Sequence, residues 1–413
     1  MSHLHAIPLA LIVASLSAAT GCGMKRAQQE CRLEGESVIA SIGGSPAAVA
    51  AVRVDGERYA AAWSAGGETW FAALDPRGRR VGEPLRVDRG PGRGAEGDAD
   101  GGPNAFWPEG AESSFAAEHL ALTARKGGGV ALGVLERRSE SRPGGAFAIL
   151  FGPDRKTVER VVCLGPAGPF SSRIAVIDRD GEPLFAWHDA AVDGSSVRLA
   201  AVSGKGALRG SLVLPGAQPA FSPSLAVDGD TALLVWIESR SGGSGPLFDV
   251  RVAQVVAGPS LGPISTVASS RYLDPAPTIV STGGGFGVAF RDDRDSDGTP
   301  EYYYSELERS GAVRRKPARI SRADGSEGPR LARVGAFVFG VQVRSFGGAF
   351  LVGMNRIDAE GRKRGGEFQI YADKSDFTRA DVAPGDGKVL LVYGEDRQGA
   401  GRVLAGAVTC RGM

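Results

Sequence analysis

Histidine is scarce in this 413-residue sequence: there are four, and two of them, His3 and His5, stand among the first five residues. His119 and His188 are then the only candidates for general-base work. With no Gly-x-Ser-x-Gly elbow, a nucleophile-histidine triad has little to build on. His188 follows Trp187 where corresponding segments carry Ile, Arg or Gly, and reads as a strand residue. Cysteine is equally scarce, with four residues, and no His, Cys, Asp or Glu cluster has zinc-ligand spacing. An excess of one charge is also missing. Lys plus Arg number 48 against 47 Asp plus Glu, and no basic stripe is interleaved with aromatics, which excludes a nucleic-acid footprint. Only 8 of the basic residues are lysine, which we read as codon bias. Past the N-terminus no apolar run is long enough to cross a membrane. No stretch of a dozen residues holds a 3.6-residue period, so helices are not expected.

Glycine, at 61 residues, is about twice its usual share, as many short strands joined by tight turns require. Residues 1–21 carry an apolar run from Ala6 to Leu16 followed by small residues, a signal-peptide pattern that directs export. Ala19-Thr20-Gly21-Cys22 resembles the lipobox of bacterial lipoproteins, in which the cysteine is lipidated and becomes the mature N-terminus. The resemblance makes Cys22 the anchor and residues 22–30 a hydrophilic tether. The other reading is ordinary cleavage near the same point, leaving a plain thiol. The expected location is the bacterial cell envelope, periplasmic or surface-facing, with membrane contact through the lipid alone, or else secretion.

Apolar runs of four to eight residues bounded by Gly, Pro, Asp or Ser recur along the chain and define an all-β protein. The clearest unit, Pro223 to Trp236, is a strand, a glycine turn and a second, apolar strand ending in an aromatic. Its last apolar residue recurs as Trp63, Val134, Trp187, Trp236, Phe290, Val343 and Tyr393, at steps of 71, 53, 49, 54, 53 and 50. A third strand follows each marker, then an Asp-x-x-Gly kind of turn, as in LDPRGR, LERSGA and IDAEGR, then a short fourth strand. Four strands in about 50 residues is the blade of a β-propeller. The long first step contains a Gly-rich, acidic insertion at 88–112 that includes Phe106 and Trp107, a candidate lid or partner loop.

Ring closure tests the count. Tyr393 is followed by 20 residues, enough for a third strand (Arg402 to Cys410) but not a fourth, and Cys31 to Ser41 reads as the missing fourth strand. The expectation is therefore one seven-bladed propeller over residues 31–413, the last blade shared by both chain ends. Six blades plus an irregular segment around Val134 is the competing count. Cys31 and Cys410 fall beside each other in this arrangement. A disulfide between them suits an oxidising compartment, the alternative being two separate thiols near the termini. Cys163, apolar on both sides, reads as a buried small hydrophobe.

The most specific cluster is Asp293-Arg-Asp295-Ser-Asp297-Gly298-Thr299-Pro-Glu301. Alternating carboxylates closed by a glycine turn suit a hard cation, and the stretch resembles the short calcium loops of integrin-type propellers. Asp293, Asp295, Asp297, Thr299 and Glu301 are thus candidate Ca2+ ligands, the competing reading being a solvated acidic hairpin. Acids also recur after the markers, at Glu238, Asp292, Asp293, Glu395 and Asp396, where they read as turn caps accepting hydrogen bonds from neighbouring blades. The Asp-box turns of sialidases are absent, and no residue is assigned a catalytic role.

The pattern Pro-x-Ile/Leu-Ala…Gly…Val-x-Trp-x-Asp-x-Arg-x-Gly, best in Phe221 to Tyr272 and Asp274 to Ile320, resembles a repeat of secreted and lipoprotein propellers from large-genome bacteria, myxobacteria among them. The resemblance implies fold and export and transfers no catalytic residue. Two functions are consistent with this reading. One is a non-catalytic, monomeric scaffold that binds a protein or glycan at a propeller face. The other is a hydrolase or lyase acting on polysaccharide at the central mouth, which would need a deep axial pocket lined by arginines, tyrosines and carboxylates.

Overall fold

The structure is a computed structural model that describes residues 31–88, 115–137, 144–192, 194–216, 218–242, 245–256, 258–270, 277–292, 294, 301–322, 329–346, 349–370 and 376–413. The expected signal segment, Cys22, the tether, all of the 88–112 insertion except Asp88, and Asp293, Asp295, Asp297 and Thr299 lie outside the described residues.

Seven antiparallel sheets form seven blades. The chain opens with β1 (Cys31–Gly43). Blade 1 is β2 (Ala48–Asp55), β3 (Arg58–Ala65), β4 (Glu68–Leu74) and β5 (Leu85–Arg86), and blade 2 is β6 (His119–Ala124), β7 (Val130–Glu136), β8 (Gly145–Phe151) and β9 (Val158–Pro166). Blade 3 is β10 (Ile174–Arg179), β11 (Glu182–Ala191), β12 (Gly194–Val202) and β13 (Leu208–Val213). Blade 4 is β14 (Ala220–Asp228), β15 (Thr231–Gly242) and β16 (Gly245–Val256), with its outer strand broken into β17 (Ser260–Leu261) and β18 (Ser265–Ser270), both paired to β16. Blade 5 is β19 (Thr278–Ser281), β20 (Phe286–Asp292), β21 (Glu301–Leu307) and β22 (Val313–Arg322), and blade 6 is β23 (Arg330–Val334), β24 (Phe337–Phe346), β25 (Ala349–Ile357) and β26 (Lys363–Ile370). Blade 7 is β27 (Asp376–Pro384), β28 (Val389–Arg397) and β29 (Ala400–Cys410), completed by β1 at its outer edge.

The second strands are continuous apolar runs because a blade packs against neighbours on both faces, so both sides of the strand leave water. All seven residues of β7 are buried. The outer strands have one face in solvent and alternate accordingly, as β13 does over Leu208–Val213. Seven hydrophobic clusters hold the ring, one in each seam between successive blades, including the seam between blades 7 and 1 that joins Ile39, Leu390 and Val403 to Val49, Tyr59 and Trp63. The first strands contact one another in an unbroken circuit. Blade 2, around Val134, is a regular four-stranded blade, so the count is seven.

The turns between third and fourth strands explain a glycine position in four of the blades, among them blade 3, where Gly206 N–H donates to the Ser203 carbonyl at 2.8 Å with φ +85°. In three blades the amides of Gly78, Gly311 and Gly361 donate to the carbonyls of Asp75, Glu308 and Asp358 at 3.0, 3.0 and 2.9 Å. These glycines have φ of +80°, +87° and +69°, which a side chain disfavours. Blade 2 places Arg155 there at φ +56°.

Two readings are corrected. Val343 is not the counterpart of the other markers, because it packs in the seam between blades 6 and 7, whereas Val338, on the opposite face of the same strand, packs against blade 5. By strand alternation the residue facing blade 5 is buried Gln342. A one-residue slip in choosing the marker put it on the wrong face. Cys163 is half-buried on the outer strand β9, whose second face has no neighbouring strand to cover it.

Candidate functional site

In blades 2 to 7 a polar side chain stands at, just before or a few residues into the first strand. These residues are His119, Arg173, Ser224, Thr278, Arg330 and Arg379 from blades 2 to 7. They interlock across blades. Arg330 Nη2 donates to His119 Nε2 at 2.9 Å, Arg173 Nη2 donates to Thr278 Oγ1 at 3.2 Å, and Ile174 N–H approaches His119 Nδ1 at 3.4 Å. In the same way Ile279 N–H donates to Ser224 Oγ at 3.3 Å. Both neighbours of His119 are donors, so a neutral imidazole can accept from one of them and an imidazolium from neither. Burial first, then the charges of Arg330, Arg173 and Arg379, hold His119 well below its usual value and therefore neutral.

Asp381 on β27 accepts from Ala51 N–H at 2.8 Å, and burial raises its carboxyl above the usual value while Arg330 and Arg173 pull it down. Arg379 donates to the Ala47 and Thr378 carbonyls at 3.0 and 2.9 Å. The cavity beside Glu118, His119, Arg330 and Arg379 measures about 10 Å3, room for a single water. A larger open groove of about 590 Å3 lies at the other face, between Arg179 and Asp180 of blade 3 and Asp230 and Gln254 of blade 4.

The acids after the markers do not converge on the mouth. Glu238 pairs with Arg251 at 3.6 Å, Asp292 with Arg294 at 2.6 Å and Glu395 with Arg397 at 3.2 Å and with Arg402. Asp396 accepts from Ser45 and from Gly399 N–H. In two blades the acid also ties down the segment leading to a first strand. Glu136 accepts from Ala116 N–H at 2.5 Å, and Asp189 accepts from Gly168 N–H at 3.0 Å while pairing with Arg198 at 2.7 Å. Asp189, Glu238, Asp292 and Glu395 therefore pair with arginines of their own blade, whereas Asp396 and Glu136 accept from a hydroxyl or backbone N–H. In the expected calcium loop, the described member Glu301 is buried and accepts from Arg319 at 2.7 Å and from Tyr303 Oη at 3.4 Å. Among the described residues no group of three or more His, Cys, Asp or Glu is placed to hold a metal ion. Cys31 and Cys410 face each other across β1 and β29 with an S–S distance of 2.04 Å.

His188, a strand residue on β11, uses both ring nitrogens. Nδ1 lies 2.8 Å from Ser172 Oγ and Nε2 lies 2.8 Å from Ser195 Oγ, which itself donates to the Ala220 carbonyl at 3.0 Å. Burial, with a smaller effect from Arg137, lowers His188 to about 4 against the opposing pull of Asp189. The unfolded chain takes up this proton near pH 6.5 and the folded protein only near pH 4, so the unfolded state binds more protons in between and stability falls as pH drops. We expect a loss on the order of 3 kcal/mol from this group between pH 7 and pH 4. Urea titrations at both pH values, on the wild type and H188Q, check it: the variant should show the shallower dependence, and equal slopes would count against it.

Sequence reasoning missed the axial arginines. The available signal was positional: His119-Leu120-Ala121, Arg173-Ile174-Ala175, Ser224-Leu225-Ala226, Thr278-Ile279-Val280 and Arg330-Leu331-Ala332 share a polar residue just before an apolar pair. Read down the column, that position is the axis.

Fold and axis together define a closed seven-bladed propeller with a cationic mouth. No family model matches the chain, and no curated protein matches it. Among solved structures it is similar to a puromycin hydrolase at 16% identity and a TM-score of 0.50, over 86% of this chain and 51% of that one, so it spans about half that protein's length. It is also similar to the β-propeller domain of the Trilobed protease from Pyrococcus furiosus, at 8% identity and a TM-score of 0.47 over 90% and 94% of the two chains. A sialidase from Trypanosoma rangeli aligns at 8% identity and a TM-score of 0.45, over 70% and 54%. At these identities the likeness carries the fold alone.

Proposed function

We propose that this chain is an exported, lipid-anchored binding scaffold that holds an acidic glycan at its axial mouth, with Cys22 as the anchored residue. The observation that carries this reading is the gathering of guanidinium at the axis, where Arg173, Arg330 and Arg379 from three blades all act on buried His119. Converging in one cleft, such charges attract an anion more strongly than scattered surface charge does. A planar guanidinium also matches a sugar carboxylate in two hydrogen bonds. With room for only one water beneath the mouth, the ligand rests on the rim, which favours recognition over chemistry at the axis. The hydrolase or lyase reading has less support, since Glu238, Asp292 and Glu395 are each paired with an arginine of their own blade.

Calorimetry with oligogalacturonate against neutral dextran tests the proposal on the mature protein. Binding is expected for the acidic glycan alone, weakened by salt, and reduced about tenfold by R330Q or R379Q, the worth of one charged hydrogen bond. Equal affinity in the wild type and both variants, or no binding at all, would overturn it.

A further inference from the structure

Beside the mouth, the segment from β9 to β10 presents a serine in an unusually constrained setting. Gly168 N–H donates to Asp189, Phe170 N–H to the Ala190 carbonyl at 3.2 Å, and Ala190 N–H to Ser171 Oγ at 3.1 Å. Arg137 Nε donates to the Ser171 carbonyl at 2.6 Å. The segment packs so closely that a Cβ on Gly168 would come within 1.9 Å of the Ala190 carbonyl oxygen. Ser172 follows, exposed to solvent, with its hydroxyl against buried His188.

The protons in this chain of bonds can be placed by elimination. A carbonyl only accepts, so Ser195 spends its hydroxyl hydrogen on Ala220 and must accept from His188 Nε2–H. The imidazole is neutral, so Nδ1 carries the lone pair and accepts from Ser172 Oγ–H. An exposed hydroxyl aimed at the lone pair of a buried base, itself oriented by a third group, is the arrangement that activates a serine. We infer that Ser172 is a nucleophile for the hydrolysis of carboxylic esters, with His188 as its general base and Ser195 as a positioning residue.

In the step this implies, Ser172 Oγ forms a bond to the ester carbonyl carbon as its proton passes to His188 Nδ1. Collapse breaks the bond to the alcohol oxygen, and the departing alkoxide takes the proton back from Nδ1. Water, deprotonated by the same nitrogen, then releases the acid and restores the serine. Among the described residues the N–H of Ser172 makes no hydrogen bond. Phe170, 61% exposed two residues earlier, offers an apolar surface to the acyl group. The inference is independent of glycan binding at the axis.

p-Nitrophenyl butyrate and the full chain provide the test. We expect nitrophenolate release that S172A abolishes and H188Q lowers roughly a hundredfold, the usual worth of a general base. S195A should lower it by a smaller factor, with a changed pH profile. S172A takes the donor from His188 Nδ1, the loss of one hydrogen bond, so its thermal melt should fall by no more than a few degrees and the variant should remain folded. Absence of turnover, or turnover that survives in folded S172A, would overturn the assignment and leave these bonds as a tie between blades 3 and 4.

Discussion

Replacing Cys31 and Cys410 together by serine is expected to destabilise the protein by about 4 to 5 kcal/mol, the largest effect of any change considered. The bond spans 379 residues, so in the unfolded state it closes a loop of nearly the whole propeller and removes the entropy of one very long closure. Without it, the outer strand of blade 7 is held by its pairing to β29 and by side-chain bonds from Tyr393 to Glu36 and from Thr409 to Glu34, the latter 2.9 Å. The ring should still form, but β1 becomes its weakest strand. Urea denaturation of the double variant against the oxidised wild type reads the difference, and coincident midpoints would refute the expectation.

Trp187→Ala is expected to cost about 3 to 5 kcal/mol. The indole is 1% exposed and fills the seam between blades 2 and 3 with Phe185, Ile174 and Leu164. Its Nε1–H donates to the Pro166 carbonyl at 3.0 Å, and Gly165, with φ +153°, would bring a Cβ within 3.0 Å of the ring. Truncation therefore leaves a cavity and an orphaned carbonyl together, at the base of the segment that presents Ser172. A destabilisation below about 1 kcal/mol in chemical unfolding would mean that the seam collapses around the gap.

Much of this architecture was legible because it is written as a period. The markers Trp63, Trp187, Trp236, Phe290 and Tyr393 sit on second strands buried on both faces, so their apolar runs stand out in any window of sequence. The two chain ends make one blade period between them for the same reason. Val343 shows the limit of that method. In a strand buried on both faces the alternation carries little mark, and here the position facing blade 5 is the polar Gln342, so the last apolar residue, Val343, stands one place away on the other face.

The candidate site was far less legible. His188 was visible, but Ser172 lies 16 residues before it and Ser195 seven after, with no motif spacing to link them. They meet because a segment between blades crosses over the end of a hairpin. Arg173, Arg330 and Arg379 lie far apart in the chain and read singly as ordinary charged residues at strand ends.

By itself, then, the sequence determined the blades and the closure of the ring, because burial on two faces and tight turns impose local patterns that repeat, while the structure decided seven blades against six. Only the tertiary structure decided which side chains share the axis and which serine meets the histidine. Those contacts depend on the angle at which each blade is set against the next, and no local pattern encodes that angle.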